Sequence, residues 1–285
     1  MTVGIVGATG NVGRRLVRRL VERGVPVRAV TRDAYAARAV LPAGVEVREP
    51  DRDGFDRILH GCAAVFVSCA NGPEQVDVEA RAIDAAAREG GRIVRLSSVV
   101  VALEKSSFHR QLELRVEATG APHVHLRPTL LMQSLLTLVE DDIVARRELR
   151  LPLADAPVAA VDADDVAAAA AQALLGGESA SSAWTLVGSA ATMPEVAREL
   201  SAALGAAVRY VDVTPDEAVA GWRASGLPAE TAELLRGVFA SLRAGAEPPG
   251  DDLARVLGRP PRTWQAAPLL GSSNGAWRDR NFRAA

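Results

Sequence analysis

The sequence predicts an α/β fold: a doubly wound parallel sheet covered by helices, followed by a small, mainly helical C-terminal lobe. Three observations predict it. Short apolar runs alternate with stretches of helical periodicity through the first half of the chain. A glycine-rich turn, Gly7-Ala8-Thr9-Gly10-Asn11-Val12-Gly13, joins the first run to the first periodic stretch. Beyond Arg127-Pro128 the alternation loosens and helical spacing dominates. Strict β–α alternation implies parallel strands with helices on both faces.

The elements follow in order. Val3–Val6 is a short apolar run ending in glycine and reads as the first strand. Val12, Leu16, Val17, Leu20 and Val21 have helical spacing, and Gly24 stops that helix. Val25–Val30 and Val45–Val47 are the second and third strands. Phe55–Leu59 is a short helix before a fourth strand, Ala64–Val67. A helix over Glu74–Arg88 ends at Gly90-Gly91, and Ile93–Leu96 is the fifth strand. Phe108–Thr119 is a helix closed by Gly120, and His123–Leu126 is the sixth strand. Past that point, Met132–Glu140 and Asp164–Leu175 read as helices, the second opening on two acids that suit the helix dipole. Leu149–Leu151, Val158–Val161, Trp184–Val187 and Val208–Val213 read as strands. Thr192 and Thr214, each with a proline close behind, open the next two helices. Pro228–Arg243 and Asp251–Leu257 complete the lobe. The expected organisation is a sheet domain over 1–150 with 155–187 returning to it, a lobe over 188–270, and a flexible tail over 271–285.

Composition narrows the function. The 285 residues carry a formal net charge of −2, too little positive charge for general nucleic-acid binding. Hydrophobic residues make up 48% and charged residues 24%, an ordinary globular balance. The two cysteines, Cys62 and Cys69, have no ligand-spaced neighbours, so neither a disulfide framework nor a metal site is expected. The absence of an apolar run of about 18 residues leaves no membrane span, and a reduced cytoplasmic location is expected. The sequence holds a single lysine, Lys105, and only two tyrosines, Tyr35 and Tyr210.

The glycine turn points to a dinucleotide, because it follows a predicted strand and opens a predicted helix. Gly7 permits the tight turn, Gly10 lets the backbone approach a pyrophosphate, and Gly13 lets the helix pack on the sheet. With Thr9, Asn11 and Val12 the turn presents backbone N–H groups to the phosphates. A purely structural strand-to-helix turn is the bland alternative. The second strand ends at Thr31-Arg32-Asp33. Arg32 suits the 2′-phosphate of NADPH, while Asp33 is a competing signal for NAD. NADPH is the expected cofactor, bound in a Rossmann domain.

These residues resemble a known family. Gly7–Gly13 with Arg32, Pro50-Asp51, Leu96-Ser97-Ser98 and Leu126-Arg127-Pro128 are similar to motifs of atypical short-chain dehydrogenase/reductases of the NmrA-like class. Val161-Asp162-Ala163-Asp164-Asp165-Val166-Ala167 and Val256-Leu257-Gly258-Arg259-Pro260-Pro261 extend the resemblance over nearly the whole chain. It implies a Rossmann domain with a substrate lobe. It also implies one of several activities: quinone reductase, isoflavone reductase, aromatic polyketide (angucyclinone-type) ketoreductase in antibiotic biosynthesis, or redox-sensing regulator without turnover. The resemblance places Asp51 near the adenine and Ser68, Cys69 and Ala70 near the nicotinamide-side ribose. It places Thr129 and Leu130 against the nicotinamide amide. Asp51 has a competing role as a turn or capping acid.

The sequence departs from the family pattern at the catalytic pair. Short-chain reductases commonly use a Tyr-x-x-x-Lys pair, yet His109 falls in the tyrosine slot and Glu113 in the lysine slot. Four proton sources stay open. His109 titrates near neutrality and can relay a proton. Ser97 or Ser98 can polarise a carbonyl, with Ser97 the expected strand-end backbone cap of the two. Lys105 is the third, and the fourth is the substrate itself or water. Glu113 can accept a hydrogen bond from a ribose hydroxyl.

Val99–Leu103 is unusually apolar for a loop over an active site. Together with Met132, Gln133, Trp222 and Phe239 it suggests a large, flat, apolar aromatic substrate, although ordinary core packing competes at each position. His123 and His125 share one face of the sixth strand, and strand-edge polar residues are the simpler reading than a metal pair. The sequence therefore predicts an NADPH-dependent reductase of a ketone or quinone on a polycyclic aromatic, polyketide-like metabolite. It would be a monomer or homodimer without nucleic-acid or membrane partners. A non-catalytic NADP(H)-sensing regulator is the alternative.

Overall fold

The computed structural model describes residues 1–50, 54–69, 74–103, 107–176, 181–246, 250, 252–266 and 269–270. Asp51, Ala70, Lys105 and the expected tail 271–285 lie outside the described residues.

The strands are β1 (Thr2–Val6), β2 (Val27–Val30), β3 (Glu46–Arg48), β4 (Cys62–Val67), β5 (Arg92–Leu96), β6 (His123–Pro128), β7 (Glu148–Leu151), β8 (Val158–Ala160), β9 (Ser182–Leu186), β10 (Ser189–Ala191) and β11 (Arg209–Asp212). Seven form one sheet in the order β3-β2-β1-β4-β5-β6-β9, every neighbouring pair parallel. The order reverses between β1 and β4, where open α/β sheets bind ligands beyond the strand ends.

The chain folds into two compact units. The first comprises Met1–Thr129, Ala163–Leu186 and Gly250–Pro260. Its central strands are largely apolar, as strands covered by helices on both faces are. Val3, Ile5, Ala64, Val65, Phe66, Ile93 and Val94 are fully buried. Helix Gly13–Glu22 buries Leu16, Val17 and Leu20. Two motifs far apart in sequence meet in this unit. Asp165, fully buried at the start of helix Ala163–Leu175, pairs with Arg259 at 2.5 Å. Its neighbour Asp164 pairs with Arg15 at 3.3 Å. Arg15 also donates to the Asn11 carbonyl at 2.7 Å, tying the glycine turn to that helix.

The second unit comprises Leu130–Asp162 and Val187–Pro249 together with the segment from Pro261. Helix Met132–Arg146 turns Met132, Leu135, Leu136, Val139 and Ile143 into its core, beside Leu149, Leu151, Met193, Leu200, Trp222 and Phe239. The first domain therefore ends at Thr129, not near residue 150. The apolar stripe of that helix is buried in the second core, and this decides where it belongs. The returning segment is Ala163–Leu186, and Gly250–Pro260 returns as well. Two small sheets, β7 with β11 (parallel) and β8 with β10 (antiparallel), lie in this unit beside its helices, and β7, β8 and β11 fall on expected strands. Thr192 and Thr214 each form a capping box, with Glu195 and Glu217. Three elements were not anticipated: helix Ala34–Val40, β10 and helix Val100–Leu103, the last replacing the expected apolar loop.

Candidate active site

The glycine turn has a shape that only glycine permits at two positions. Gly7 sits at φ 80°, and a Cβ there would lie 1.8 Å from the Ser68 carbonyl oxygen. A Cβ on Gly13 would lie 2.1 Å from the Gly7 oxygen. Gly10 differs: it is exposed, and a Cβ would meet only the Gly7 oxygen, at 3.3 Å. Helix Gly13–Glu22 begins without a side-chain cap and without an acid in its first turn. Among the described residues, the N–H groups of Asn11, Val12 and Gly13 find no acceptor. Such a helix start is electropositive and complementary to a pyrophosphate. The residues present therefore fit a dinucleotide.

The two residues after β2 have different surroundings. Asp33 caps helix Ala34–Val40, its carboxylate accepting from the Ala36 N–H at 2.8 Å. Arg32 is exposed and makes no ion pair among the described residues. Asp33 therefore serves the backbone at the start of that helix.

Across the reversal point, Ser68 follows β4 and donates its N–H to the Val6 carbonyl at 3.3 Å. The next N–H, of Cys69, donates to Glu79 at 3.1 Å. Glu79 lies on helix Gln75–Arg88 and is 1% exposed. It also accepts from Gln75 at 3.0 Å and from Arg95 at 2.9 Å. Arg95 is itself fully buried, and it donates to the His109 carbonyl at 3.3 Å with a second nitrogen 3.5 Å from His109 Nδ1. Burial, with Glu79 nearby, pushes the Cys69 thiol up to about 12, so it stays protonated.

A second polar cluster lies along the same helix, Phe108–Ala118. Glu113 is fully buried. Its carboxylate accepts from Ser97 Oγ at 2.6 Å, from Arg127 at 2.9 and 2.8 Å, and from Arg110 at 3.0 Å. Burial alone would raise its pKa. Hydrogen bonds from Arg127 and Ser97, with the charges of His125 and Arg127, outweigh this and bring it to about 2.

These contacts correct several expectations. Glu113 has both oxygens saturated by the protein and none to spare for a ribose. Ser97 is not the backbone cap. Ser98 is, accepting from the Val100 N–H at 3.2 Å, while the Ser97 hydroxyl serves Glu113. His109 is not poised at neutrality. Burial and the Arg95 charge lower its pKa to about 4, so it is a neutral imidazole near pH 7. His123 and His125 are not at a sheet edge, because β6 lies between β5 and β9. Their rings stand 4.8 Å apart, and His125 Nε2 is 3.5 Å from Glu117. No cluster of three or more metal-binding side chains occurs among the described residues.

The remaining residues divide between the units. Val99 extends the β5–β6 pairing, donating to the Pro128 carbonyl at 3.2 Å. Thr129 is buried at the end of β6, its N–H on the Leu186 carbonyl at 3.1 Å. Leu130, Met132, Gln133, Trp222 and Phe239 belong to the second unit. Met132, Trp222 and Phe239 are packed into its core, the last two with ring centroids 5.3 Å apart, rather than lining an open wall. Gln133 is buried as well.

Sequence reasoning missed Glu79, Arg95, Arg127 and Arg110. A signal existed. Arg95 in β5 and Ser97 just past its end are two apart, as are His125 and Arg127 along β6, and His109, Glu113 and Glu117 recur every four residues on one helix. Polar periodicity on both sides of one packing layer marks a buried charged network.

A seven-stranded parallel sheet in this order, with a glycine turn at its reversal point, defines a Rossmann-type dinucleotide-binding protein. The NmrA-like family profile matches residues 1–240, and the chain belongs to that family. It is 32% identical over 277 residues to an NAD(P)H azoreductase of Xenophilus azovorans, covering 91% of this chain and 94% of that one. It is 34% identical over 275 residues to the (4-alkanoyl-5-oxo-2,5-dihydrofuran-3-yl)methyl phosphate reductase of Streptomyces griseus, covering 92% and 96%. In fold it is similar to an Escherichia coli NADPH-dependent quinone oxidoreductase solved with NADPH, at TM-score 0.77 and 22% identity over 92% of this chain and 96% of that one. No helix among the described residues is long and apolar enough to cross a membrane.

Proposed function

We propose that the protein is an NADPH-dependent reductase transferring hydride to a flat, conjugated, electron-poor acceptor, a quinone or ketone of a polycyclic aromatic, polyketide-like metabolite. The protein is an NADPH-dependent oxidoreductase. Bound NADPH supplies the hydride, and the acceptor gains that hydride and one proton. Gly7, Gly10 and Gly13 with the helix start hold the pyrophosphate, and Arg32 takes the 2′-phosphate. Ser68 and Cys69 lie along the nicotinamide-side ribose, Thr129 and Leu130 along its amide, and Val99 borders the substrate.

The observation that carries this reading is the chemistry of the Tyr-Lys slots. They hold a neutral imidazole at His109 and a saturated carboxylate at Glu113. Neither delivers a proton at neutral pH. A conjugated acceptor does not need one in the transition state, because its ring system spreads the negative charge left by hydride addition. Water then protonates it. The relatives support this choice. An azo group and an acyl-substituted oxo-dihydrofuran are both conjugated acceptors.

The test is NADPH oxidation against a panel of quinones, azo compounds, polycyclic aromatic ketones and simple aliphatic ketones. The expected result is turnover of the conjugated members and none of the aliphatic ketones. A protein that binds NADPH, transfers hydride to none of these acceptors, and recruits a partner protein in one redox form alone would instead be a regulator.

A further inference from the structure

The pair Glu79–Arg95 lies behind His109 and is unused by the reading above. Both side chains are buried, 1% and 0% exposed. Arg95 approaches Glu79 with Nε and Nη2, each at 2.9 Å. A guanidinium has five donors and no acceptor, and it stays charged at every accessible pH. Where Arg95 meets the ring of His109, it meets Nδ1. A protonated Nδ1 would set donor against donor. The favourable arrangement has a lone pair on Nδ1 and the proton on Nε2.

We propose that Glu79–Arg95 is a positioning pair that holds His109 as a neutral imidazole with its proton on Nε2, aimed as a hydrogen-bond donor. Glu79 fixes Arg95. Arg95 fixes His109 through its carbonyl and its Nδ1, and the Phe108 ring packs beside it with centroids 4.0 Å apart. Glu79 also holds the Cys69 N–H, so one carboxylate sets both the backbone after β4 and, through Arg95, the imidazole. The charged groups facing His109 are Arg95 from β5 and Glu113 from its own helix, with Glu79 behind Arg95. Burial and Arg95 oppose protonation and Glu113 favours it, and the first two prevail. A neutral imidazole that donates stabilises charge developing on an acceptor atom without giving up its proton, a role known for histidines whose pKa is lowered. This role rests on the reductase reading, whereas the tautomer does not.

Nitrogen-15 resonance of the imidazoles in the wild-type protein, with His109 assigned by its loss in His109→Gln, reads the tautomer directly. The expected result is an Nε2–H signal for His109 that persists from pH 8 to below pH 6. An Nδ1–H signal, or a titration midpoint in the ordinary histidine range, overturns the proposal. In Glu79→Leu/Arg95→Met, which leaves neither charge orphaned, the midpoint is expected to rise and the Nδ1–H form to appear. Unchanged signals overturn the role of the pair. Turnover separates donor from acid. With an acceptor found active, His109→Phe is expected to lower kcat by roughly 100-fold, the scale of one lost donor to a developing oxyanion. His109→Gln, which keeps an N–H donor, should restore most of that loss with KM for NADPH little changed. A glutamine variant as slow as the phenylalanine variant removes the donor role. A panel with no turnover at all sinks the reductase reading, and the resonance experiment still decides the tautomer.

Discussion

Ser97 donates its hydroxyl to Glu113 at 2.6 Å, inside the layer between the sheet and helix Phe108–Ala118. That contact, with the hydrogen bonds from Arg127 and Arg110, makes the position of the usual lysine a structural anion. It also gives the protein a defined sensitivity to acid.

Glu113 is held near pKa 2 in the fold, below its ordinary 4.5, so its contribution is complete above pH 4.5 and is lost as pH falls towards 2. His109 and His125 are held near 4, below their ordinary 6.5. The unfolded chain then binds protons the fold resists, and stability falls as pH drops from 6.5 to 4. Two successive losses are expected in thermal melts: one between pH 6.5 and 4, absent in part from His125→Asn, and one below pH 4.5, absent from Glu113→Gln. A melting temperature constant from pH 7 to 4 would contradict the histidine assignments.

The glycines of the turn should separate fold from binding. Gly13→Ala forces a Cβ to 2.1 Å from the Gly7 oxygen, backbone against backbone, and should cost several kcal/mol or prevent folding. Gly10→Ala meets only one atom, at 3.3 Å, on an exposed face. It should melt within a few degrees of wild type while losing about tenfold or more in NADPH affinity, measured by calorimetry.

Arg32→Ala should weaken NADPH roughly 10- to 100-fold, the worth of a charge-assisted hydrogen bond, and leave NADH nearly unchanged. Asp33→Ala should cost about 1 kcal/mol of stability through the lost cap of helix Ala34–Val40. Its cofactor preference should stay with NADPH. Parallel titrations with both nucleotides check the pair of statements.

The buried ion pair predicts a non-additive effect. Arg95→Met leaves the buried Glu79 carboxylate without its cation, held only by the Cys69 N–H and Gln75, at a cost of about 3–5 kcal/mol. Adding Glu79→Leu should recover much of that loss, because no buried charge then lacks a partner. Denaturant melts of the two single variants and the double variant measure the coupling.

Much of the sheet was legible because its strands are buried on both faces and read as plain apolar runs. Val3–Val6 and Ala64–Val67 needed no partner information to be recognised. The glycine turn was legible for a similar reason: backbone shape confines residue choice locally, at Gly7 and Gly13. The helix Val100–Leu103 was not, since four apolar residues carry no period that distinguishes helix from loop. The role of Asp33 as a helix cap was not legible either, because it rests on a helix, Ala34–Val40, that the local pattern did not announce.

By itself the sequence determined the parallel α/β architecture, the dinucleotide turn and the loss of the Tyr-Lys pair. Each of these is set by short-range pattern or by the mere absence of a residue type. Tertiary structure alone decided the fate of the residues in the vacated slots. Glu79 and Arg95, Ser97 and Glu113, and Asp165 and Arg259 are brought together across separate elements. Whether a histidine is acid or neutral, and whether a carboxylate is free or saturated, depends on burial and on charges that chain order does not reveal.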